Sequence, residues 1–470
     1  MDKNGLTYKI FQIAIPSIIG FVGLTLFEVV DIYWLGKLNS KAVAAAGACA
    51  FIEWILYAMM RLFNTGCDTL VAQAIGAKKE NEKFDIIREA AFLSLVFSFI
   101  VFILFYPIKG YLFLLMGLDQ ETQIYAVAYF SILLTGVPVI FLLDLLGRIF
   151  NAHGDTKTST LILLFVLFIN LVLDPFLIFG WGGFPVLGIR GAAIASVFSM
   201  SIGIILRVYI LRRKKYIPPL LSFSRISFKY LTRFLKIGIP SCVTNMIWSA
   251  VYPMLAVIVT KFGMAPLAAL NICHRIEGIP YFFALGFSIS MSTLVGQHYG
   301  AGNYKEVGRI VKRGGFLIVG LLVPVSLLYI LIPEQLIMLL NKDEEIIKHG
   351  ADYLRIIGYC EIFLGLEVAM EGAFNGLGYT RPYLLIRGPL TLLRIPMAWY
   401  LAIYLGMGTV GIWWSISLTT GLKGILMVIS FFKRYGLTFR DAFSRQCIME
   451  VPKRDQDLLT YHSFLSSFQR

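Results

Sequence analysis

Residues 8–36 form the stretch whose residue types suggest chemistry. The stretch is apolar for longer than the ~20 residues that an α-helix needs to cross a hydrocarbon core, yet it contains two acids, Glu28 and Asp31. A charge near the bilayer centre costs at least ~2.5–3.5 kcal/mol, so an acid kept there usually faces a protein interior or a water-filled path. The two acids are three residues apart and share one helical face. They predict an ion or proton site, with an interfacial contact of Asp31 near Gly36 as the alternative.

Composition sets the class of protein to which this stretch belongs. Of 470 residues, 58% are hydrophobic and 15% are charged, which predicts an all-α polytopic membrane protein surrounded by lipid. The net charge of +14 does not indicate a nucleic-acid partner, because the basic residues lie between apolar runs, as in loops that face the cytoplasm. Six scattered cysteines without CxxC spacing indicate neither disulfides nor a zinc site.

Hydropathy predicts twelve membrane spans. They lie at roughly 10–36, 42–75, 86–106, 122–149, 158–180 and 187–211, and then at 233–259, 266–299, 313–333, 347–375, 381–404 and 408–432. Lysine and arginine are dense on alternate connections, such as the run from Arg212 to Lys215, and sparse on the others. This bias predicts a multi-pass protein of the cytoplasmic (inner) membrane with both termini in the cytoplasm.

The two halves of the chain are copies of each other. Ile15-Pro16-Ser17 recurs as Ile239-Pro240-Ser241, and further matches follow without gaps at the same separation along the chain. Each copy has an even number of spans, so the copies point the same way and are related by an axis along the membrane normal. We therefore expect a six-helix lobe at 1–211, a linker at 212–232, a second lobe at 233–433 and a cytoplasmic tail at 434–470.

Several stretches resemble the multidrug and toxic compound extrusion (MATE) family. They are IPSIIGFVGLTLFEVVDIYWLGKL, TLVAQAIGA with TLVGQHYGAGN, FNAHGDTKTS with FNGLGYTRP, and INLVLDPFLIFG followed by LGIRGAAIAS. The resemblance implies twelve helices in a V-shaped pair of lobes. It also implies an antiporter that exports amphipathic, often cationic compounds in exchange for protons or sodium, and it is closer to the DinF-like and archaeal branch than to the NorM-like branch.

In that branch an acid of the first helix works with an asparagine and an acid of the fifth, which here are Asp31, Asn170 and Asp174. The geometry of the spans agrees, since both acids lie roughly 8–9 Å below the outer end of outward-running helices. Two carboxylates and an amide can hold a sodium ion, and two adjacent carboxylates can instead hold a proton. Asn170 and Asp174 have an alternative role in stabilising the helix around Pro175.

The sequence departs from the NorM-like branch, because its seventh span has no acid. Span ten contains Glu367 and Glu371, four residues apart, which predicts an ion or substrate site or a structural pair, with Arg394 as the counter-ion. Ser196 is the nearest match to a hydroxyl that some relatives contribute from helix six. Pro16 is expected to bend the first helix.

These observations favour a monomeric, ion-coupled antiporter for small organic cations that works by alternating access, without a cofactor other than sodium as a coupling ion. The alternative from the same superfamily is a flippase for lipid-linked oligosaccharide or peptidoglycan precursors, which typically has fourteen spans. A membrane enzyme is disfavoured by the dispersed histidines, and a passive channel by the two-lobed repeat with buried acids.

Overall fold

The computed structural model describes residues 3–218 and 227–434, and this part of the chain is helical without a strand. The helices are α1 (Lys3–Leu38), α2 (Ser40–Gly76), α3 (Glu80–Leu115), α4 (Gln120–Thr135), α5 (Val137–Ala152), α6 (Thr156–Phe179), α7 (Ile189–Arg213), α8 (Leu231–Thr260), α9 (Met264–Gly300), α10 (Tyr304–Leu331), α11 (Pro333–Met338), α12 (Glu344–Gly358), α13 (Glu361–Leu377), α14 (Arg381–Trp399) and α15 (Thr409–Arg434). A 3-10 turn follows α6 at Trp181–Gly183, and a π-helical turn extends α14 over Tyr400–Tyr404.

The internal repeat is visible in the helix boundaries. Both ends of α2 recur at both ends of α9 with the same offset that relates Pro16 to Pro240, and α3 and α10 begin at equivalent residues. Helices α1–α7, here called the N-lobe, therefore correspond to α8–α15, the C-lobe. The predicted all-α fold with two repeated lobes is confirmed. The predicted tail and the middle of the predicted linker, at 219–226, lie outside the described residues.

The fourth span of each lobe, predicted at 122–149 and 347–375, is broken into two helices. Helices α4 and α5 are bent by 51° at Gly136. Pro138, at the start of α5, has no N–H to continue the hydrogen-bond ladder of α4. The C-lobe breaks at the equivalent place, where the hydroxyl of Ser326 donates to the carbonyl at Gly358, the end of α12.

Nine helices of the described chain, together with the bent α4–α5 pair, are long and apolar enough to cross a membrane. The α12–α13 pair and α14 complete the twelve crossing segments of the fold. They are less apolar because they contain buried charged residues, described below.

The lobes are in close contact at one end, here called the basic end, where α1 begins and α2 ends beside Lys78 and Lys79. The last residues of α2 and α9 cross there with no room for a side chain. A Cβ atom on Gly76 would lie 1.8 Å from the carbonyl oxygen of Gln297, and a Cβ on Gly300 would lie 2.0 Å from that of Gln73. Glycine at both positions therefore lets the two backbones touch.

Four side-chain hydrogen bonds between the lobes reinforce this contact. Each joins a threonine or glutamine of α2 or α9 to a carbonyl near the end of α13 or α5 in the other lobe, where helical partners run out. They are Thr69 to Asn375 (2.7 Å), Gln73 to Gly376 (2.9 Å), Thr293 to Asn151 (2.8 Å) and Gln297 to Ala152 (2.8 Å). The four bonds form two pairs related by the repeat.

A further contact anchors the start of the C-lobe to the N-lobe. Both carboxylate oxygens of the buried Glu89 in α3 accept from the backbone N–H of Tyr230, at 3.0 and 3.1 Å. Before the undescribed residues, the ring of Tyr216 stacks on that of His153 at 3.8 Å. The chain is thus held on the N-lobe on both sides of 219–226.

Candidate ion and substrate sites

The first helix is fastened to α6 around its proline. Pro16 cannot donate a backbone hydrogen bond, which weakens the helical ladder of α1 locally. The hydroxyls of Thr156 and Thr160 in α6 donate to the carbonyls of Ile13 and Pro16, both at 2.9 Å. These bonds fix the rotation of α1 against α6, and so determine which residues of the two helices face each other further along.

Asp31 and Asp174 meet inside the N-lobe. Their carboxyl groups lie within hydrogen-bonding range of each other. Asp174 is fully buried and Asp31 is half-buried, although its Oδ1 atom has no access to solvent. Two carboxylates in contact repel strongly away from water, so a proton or a small cation must lie between them for both to stay in place.

Asn170 and Ser196 complete the surroundings of this pair. Asn170 is 1% exposed, and its Nδ2 donates to the hydroxyl of Ser196 in α7 at 3.3 Å. Its Oδ1 atom and both oxygens of Asp174 are buried without a hydrogen-bond donor in the described chain. Unpaired acceptor oxygens in a buried place are costly. Together with Oδ1 of Asp31, these oxygens come from three side chains, and they make this location suited to a proton or a sodium ion.

The described residues contain no group of three His, Cys, Asp or Glu side chains arranged to hold a metal ion. Sodium at this location would therefore use two carboxylates and the amide of Asn170, which is a donor set made only of oxygen, as hard cations prefer. A proton needs only the two carboxyl groups.

Glu28 lies outside this buried group. Its side chain is exposed on α1 and interacts electrostatically with Arg275 of α9, across the two lobes. Glu28 also acts electrostatically on Glu53 of α2 and on Asp31. The N-lobe thus presents four carboxyl groups to one region.

In the C-lobe, Glu367 and Glu371 belong to a buried ion-pair cluster. Glu367 contacts Nε of Arg387 at 3.0 Å and Nζ of Lys423 at 3.0 Å, and Glu371 contacts Nη1 of Arg387 at 2.7 Å. The prediction of Arg394 as the counter-ion is wrong, because Arg394 makes no salt bridge with either acid in the described chain. Arg387 lies nearer because it is two helical turns earlier in α14, level with Glu371.

The sequence interpretation missed Arg387 and Lys423. Both are buried, at 3% and 2% exposed, in segments predicted to span the membrane. A lysine or arginine inside a predicted span is itself the signal of a buried partner acid. The cluster also reaches the N-lobe, since Arg61 of α2 contacts Glu371 at 3.4 Å.

Comparison with known proteins places these features in context. The family model described as MatE matches residues 16–176 and 240–400, two segments separated by the repeat length. The chain is 27% identical over 414 residues to the probable multidrug resistance protein NorM of Thermotoga maritima, covering 86% of this chain and 88% of the relative. It is 25% identical over 437 residues to a FAD transporter of Shewanella oneidensis, covering 90% and 95%. A crystal structure of a variant of the Vibrio cholerae MATE transporter VcmN superposes with a TM-score of 0.85 at 20% identity, covering 92% of this chain and 97% of that one.

Proposed function

The chain belongs to the MATE family of multi-pass membrane transporters, and from this premise we propose that it is an ion-coupled antiporter that exports amphipathic, drug-like compounds, organic cations among them. The observation that carries the proposal is the contact between Asp31 and Asp174 beside Asn170. A pair of acids that needs one small cation is a natural coupling site, because the ion's arrival changes the charge of the whole lobe. The relative named as a multidrug resistance protein supports the class of substrate.

The basic end of the bundle faces the cytoplasm in this proposal, in line with the placement of lysine and arginine. The glycine contacts and the four hydrogen bonds then close the cytoplasmic side. Toward the other end of α2, Phe51, Trp54 and Tyr57 are exposed, and Trp54 contacts Trp248 of the C-lobe. In this proposal, closure of the cytoplasmic side leaves the outer side as the route by which the coupling ion enters.

The location of the acids favours coupling through the N-lobe, as in the DinF-like and archaeal branch. Helix α8, which carries a glutamate in the NorM-like branch, has no acid here. Of the acids of α13, Glu367 and Glu371 are paired with Arg387 and Lys423. Pro16, whose neighbours are held by α6, is the point at which α1 bends when the ion binds.

The test is transport by purified protein in proteoliposomes. Efflux of a fluorescent cation is followed with a proton gradient and a sodium gradient imposed separately, in wild type and in Asp31→Asn. The substitution removes one of the two carboxyl groups, and the remaining carboxylate no longer requires a proton or cation to offset repulsion. Gradient-driven transport should therefore fall at least tenfold while substrate binding remains. The gradient that drives the wild type identifies the coupling ion.

Glu345→Gln is the matched control, because Glu345 is an exposed acid at the start of α12. It should transport like the wild type. Full gradient-driven transport by Asp31→Asn would remove the acid pair from the coupling mechanism.

A further inference from the structure

Arg394 of α14 is a buried cation whose hydrogen-bond partners among the described residues are all neutral. It is 2% exposed, and it donates from Nε to Thr419 at 2.8 Å, from Nη2 to Thr420 at 2.6 Å and from Nη1 to the hydroxyl of Tyr252 at 3.4 Å. The two other buried cations of the described C-lobe, Arg387 and Lys423, both contact carboxylates. A guanidinium has five N–H donors, and the bonds of Arg394 to described residues use three of them, which leaves one N–H on each terminal nitrogen. That fork is the part that binds a carboxylate or phosphate in two-point fashion.

The internal repeat shows where this cation lies relative to the ion site. The offset between the two halves carries Asn170 onto Arg394, and it carries Ser196, the partner of Asn170, onto Thr420, the partner of Arg394. The N-lobe helices α6 and α7 thus carry an acidic site that suits a cation. The equivalent C-lobe helices, α14 and α15, carry a permanent positive charge at the same place. The C-lobe site therefore already contains a cation, the guanidinium of Arg394, and no carboxylate forms a salt bridge with it in the described chain.

The nearby carboxylates are engaged elsewhere. Glu277 interacts electrostatically with Arg394, but its carboxylate accepts a hydrogen bond from Tyr353 at 2.7 Å and makes no salt bridge in the described chain. Glu367 is shared between Arg387 and Lys423. His274 packs edge-on against the ring of Tyr252 at 5.0 Å, and its Nε2 atom is buried without a partner among the described residues. It offers a second polar atom beside the same ring.

Aromatic rings connect Arg394 to the boundary between the lobes. The guanidinium lies 5.9 Å from the ring of Tyr252, and that ring is 4.9 Å from Trp248, one turn earlier on α8. Trp248 in turn is 6.1 Å from Trp54 of the N-lobe, which is 39% exposed. Tyr252 and Trp248 are only half-buried. A planar molecule entering between the lobes meets these rings before it reaches the cation.

We infer that the C-lobe binds the anionic end of an aromatic substrate, with a carboxylate or phosphate on Arg394 and the ring on Trp248 and Tyr252. This inference rests on the proposed function and specifies its substrate class: aromatic compounds that carry an oxyanion, with or without a positive charge elsewhere. A substrate of this kind places its anion in the C-lobe while the coupling ion occupies the N-lobe, so the two do not compete for one charge.

The test uses a matched pair of dyes, a rhodamine with a free carboxylate and the methyl ester of the same dye. Binding to purified protein is measured by fluorescence polarisation, which does not depend on ion coupling. Replacing Arg394 by glutamine is expected to weaken binding of the free acid at least tenfold and of the ester less than twofold. Arg394→Lys keeps the charge and should restore much of the affinity for the acid. Arg190→Gln, a change at an exposed arginine of α7, is the control and should alter neither.

A competition measurement on the wild type covers the case in which the Arg394 variants do not fold. Benzoate and phenyl phosphate should displace the free-acid dye but not the ester, and their relative potency distinguishes carboxylate from phosphate preference. Equal weakening of both dyes in Arg394→Gln, or no competition by either anion, would overturn the inference. Neither result bears on the acid pair, because Asp31→Asn is tested separately by gradient-driven transport.

Discussion

Replacing Gly76 and Gly300 together by alanine is expected to shift the protein away from the state in which its basic end is closed. The added Cβ atoms would lie 1.8 Å and 2.0 Å from carbonyl oxygens of the opposite lobe. Side-chain Cβ atoms essentially never approach another heavy atom closer than 3.0 Å. The ends of α2 and α9 must therefore separate by roughly 1 Å or more, since the obstructing atoms belong to rigid helical backbone.

The magnitude follows from the cost of overpacking. An inserted methyl group in a close-packed contact costs ~1–3 kcal/mol. Two symmetric sites then cost about 2–6 kcal/mol in the closed state and nothing once the lobes have parted. Even the lower value changes the ratio of closed to open molecules roughly 30-fold. The hydrogen-bonding side chains Gln73 and Gln297 are unchanged, so the effect is steric.

The assay is a distance distribution between spin labels on cysteines introduced at Lys79 and Lys305, measured by double electron–electron resonance. Both positions are exposed at the basic end, in different lobes. The half-buried Cys360 and Cys447, which lies outside the described residues, are replaced by serine. The double alanine variant should show longer distances and slower transport. Gly47→Ala, in the same α2 helix with no atom within 4 Å, is the control. A double variant with the distances and rate of this control would refute the reasoning.

Two further substitutions test the helix bend and the ion-pair cluster. Pro16→Ala supplies the missing N–H of α1 and raises intrinsic helix stability by ~3 kcal/mol, so the unfolding temperature should rise while turnover falls several-fold; turnover at the wild-type rate would exclude bending at Pro16 from the transport cycle. Arg387→Met removes the cation shared by Glu367 and Glu371, which costs ~3–5 kcal/mol and should lower the unfolding temperature; adding Glu371→Gln should recover part of the loss, and no recovery would contradict the ion-pair explanation.

The proximity of Asp31 and Asp174 follows from the sequence because depth in a membrane is nearly a one-dimensional quantity. Counting residues from the helix ends places Asp31 and Asp174 at the same depth. A charged side chain within a span avoids the lipid, so both acids are expected to face the protein interior. The structure places the two carboxyl groups together and Ser196 next to Asn170. Their roles in coupling remain predictions until transport is measured.

The counter-ion in the C-lobe depends on information that the sequence does not contain. Arg387 and Arg394 are seven residues apart and project from nearly the same face of α14, so only the vertical offset between α13 and α14 decides which of them meets Glu371. Glu371 lies on α13, the second half of the broken span. The break in the N-lobe had a local signal in Gly136 and Pro138, but its C-lobe equivalent has no proline.

The hydrogen bonds from the backbone N–H of Tyr230 to Glu89 help to keep the two halves associated. Because α8 is fastened to α3 through a main-chain amide, this contact does not depend on which side chain stands at position 230. This contact therefore holds the start of the C-lobe on the N-lobe in addition to the peptide connection across 219–226. A transporter produced as two separate polypeptides, divided in this segment, is expected to assemble with the same hydrogen bonds between Tyr230 and Glu89.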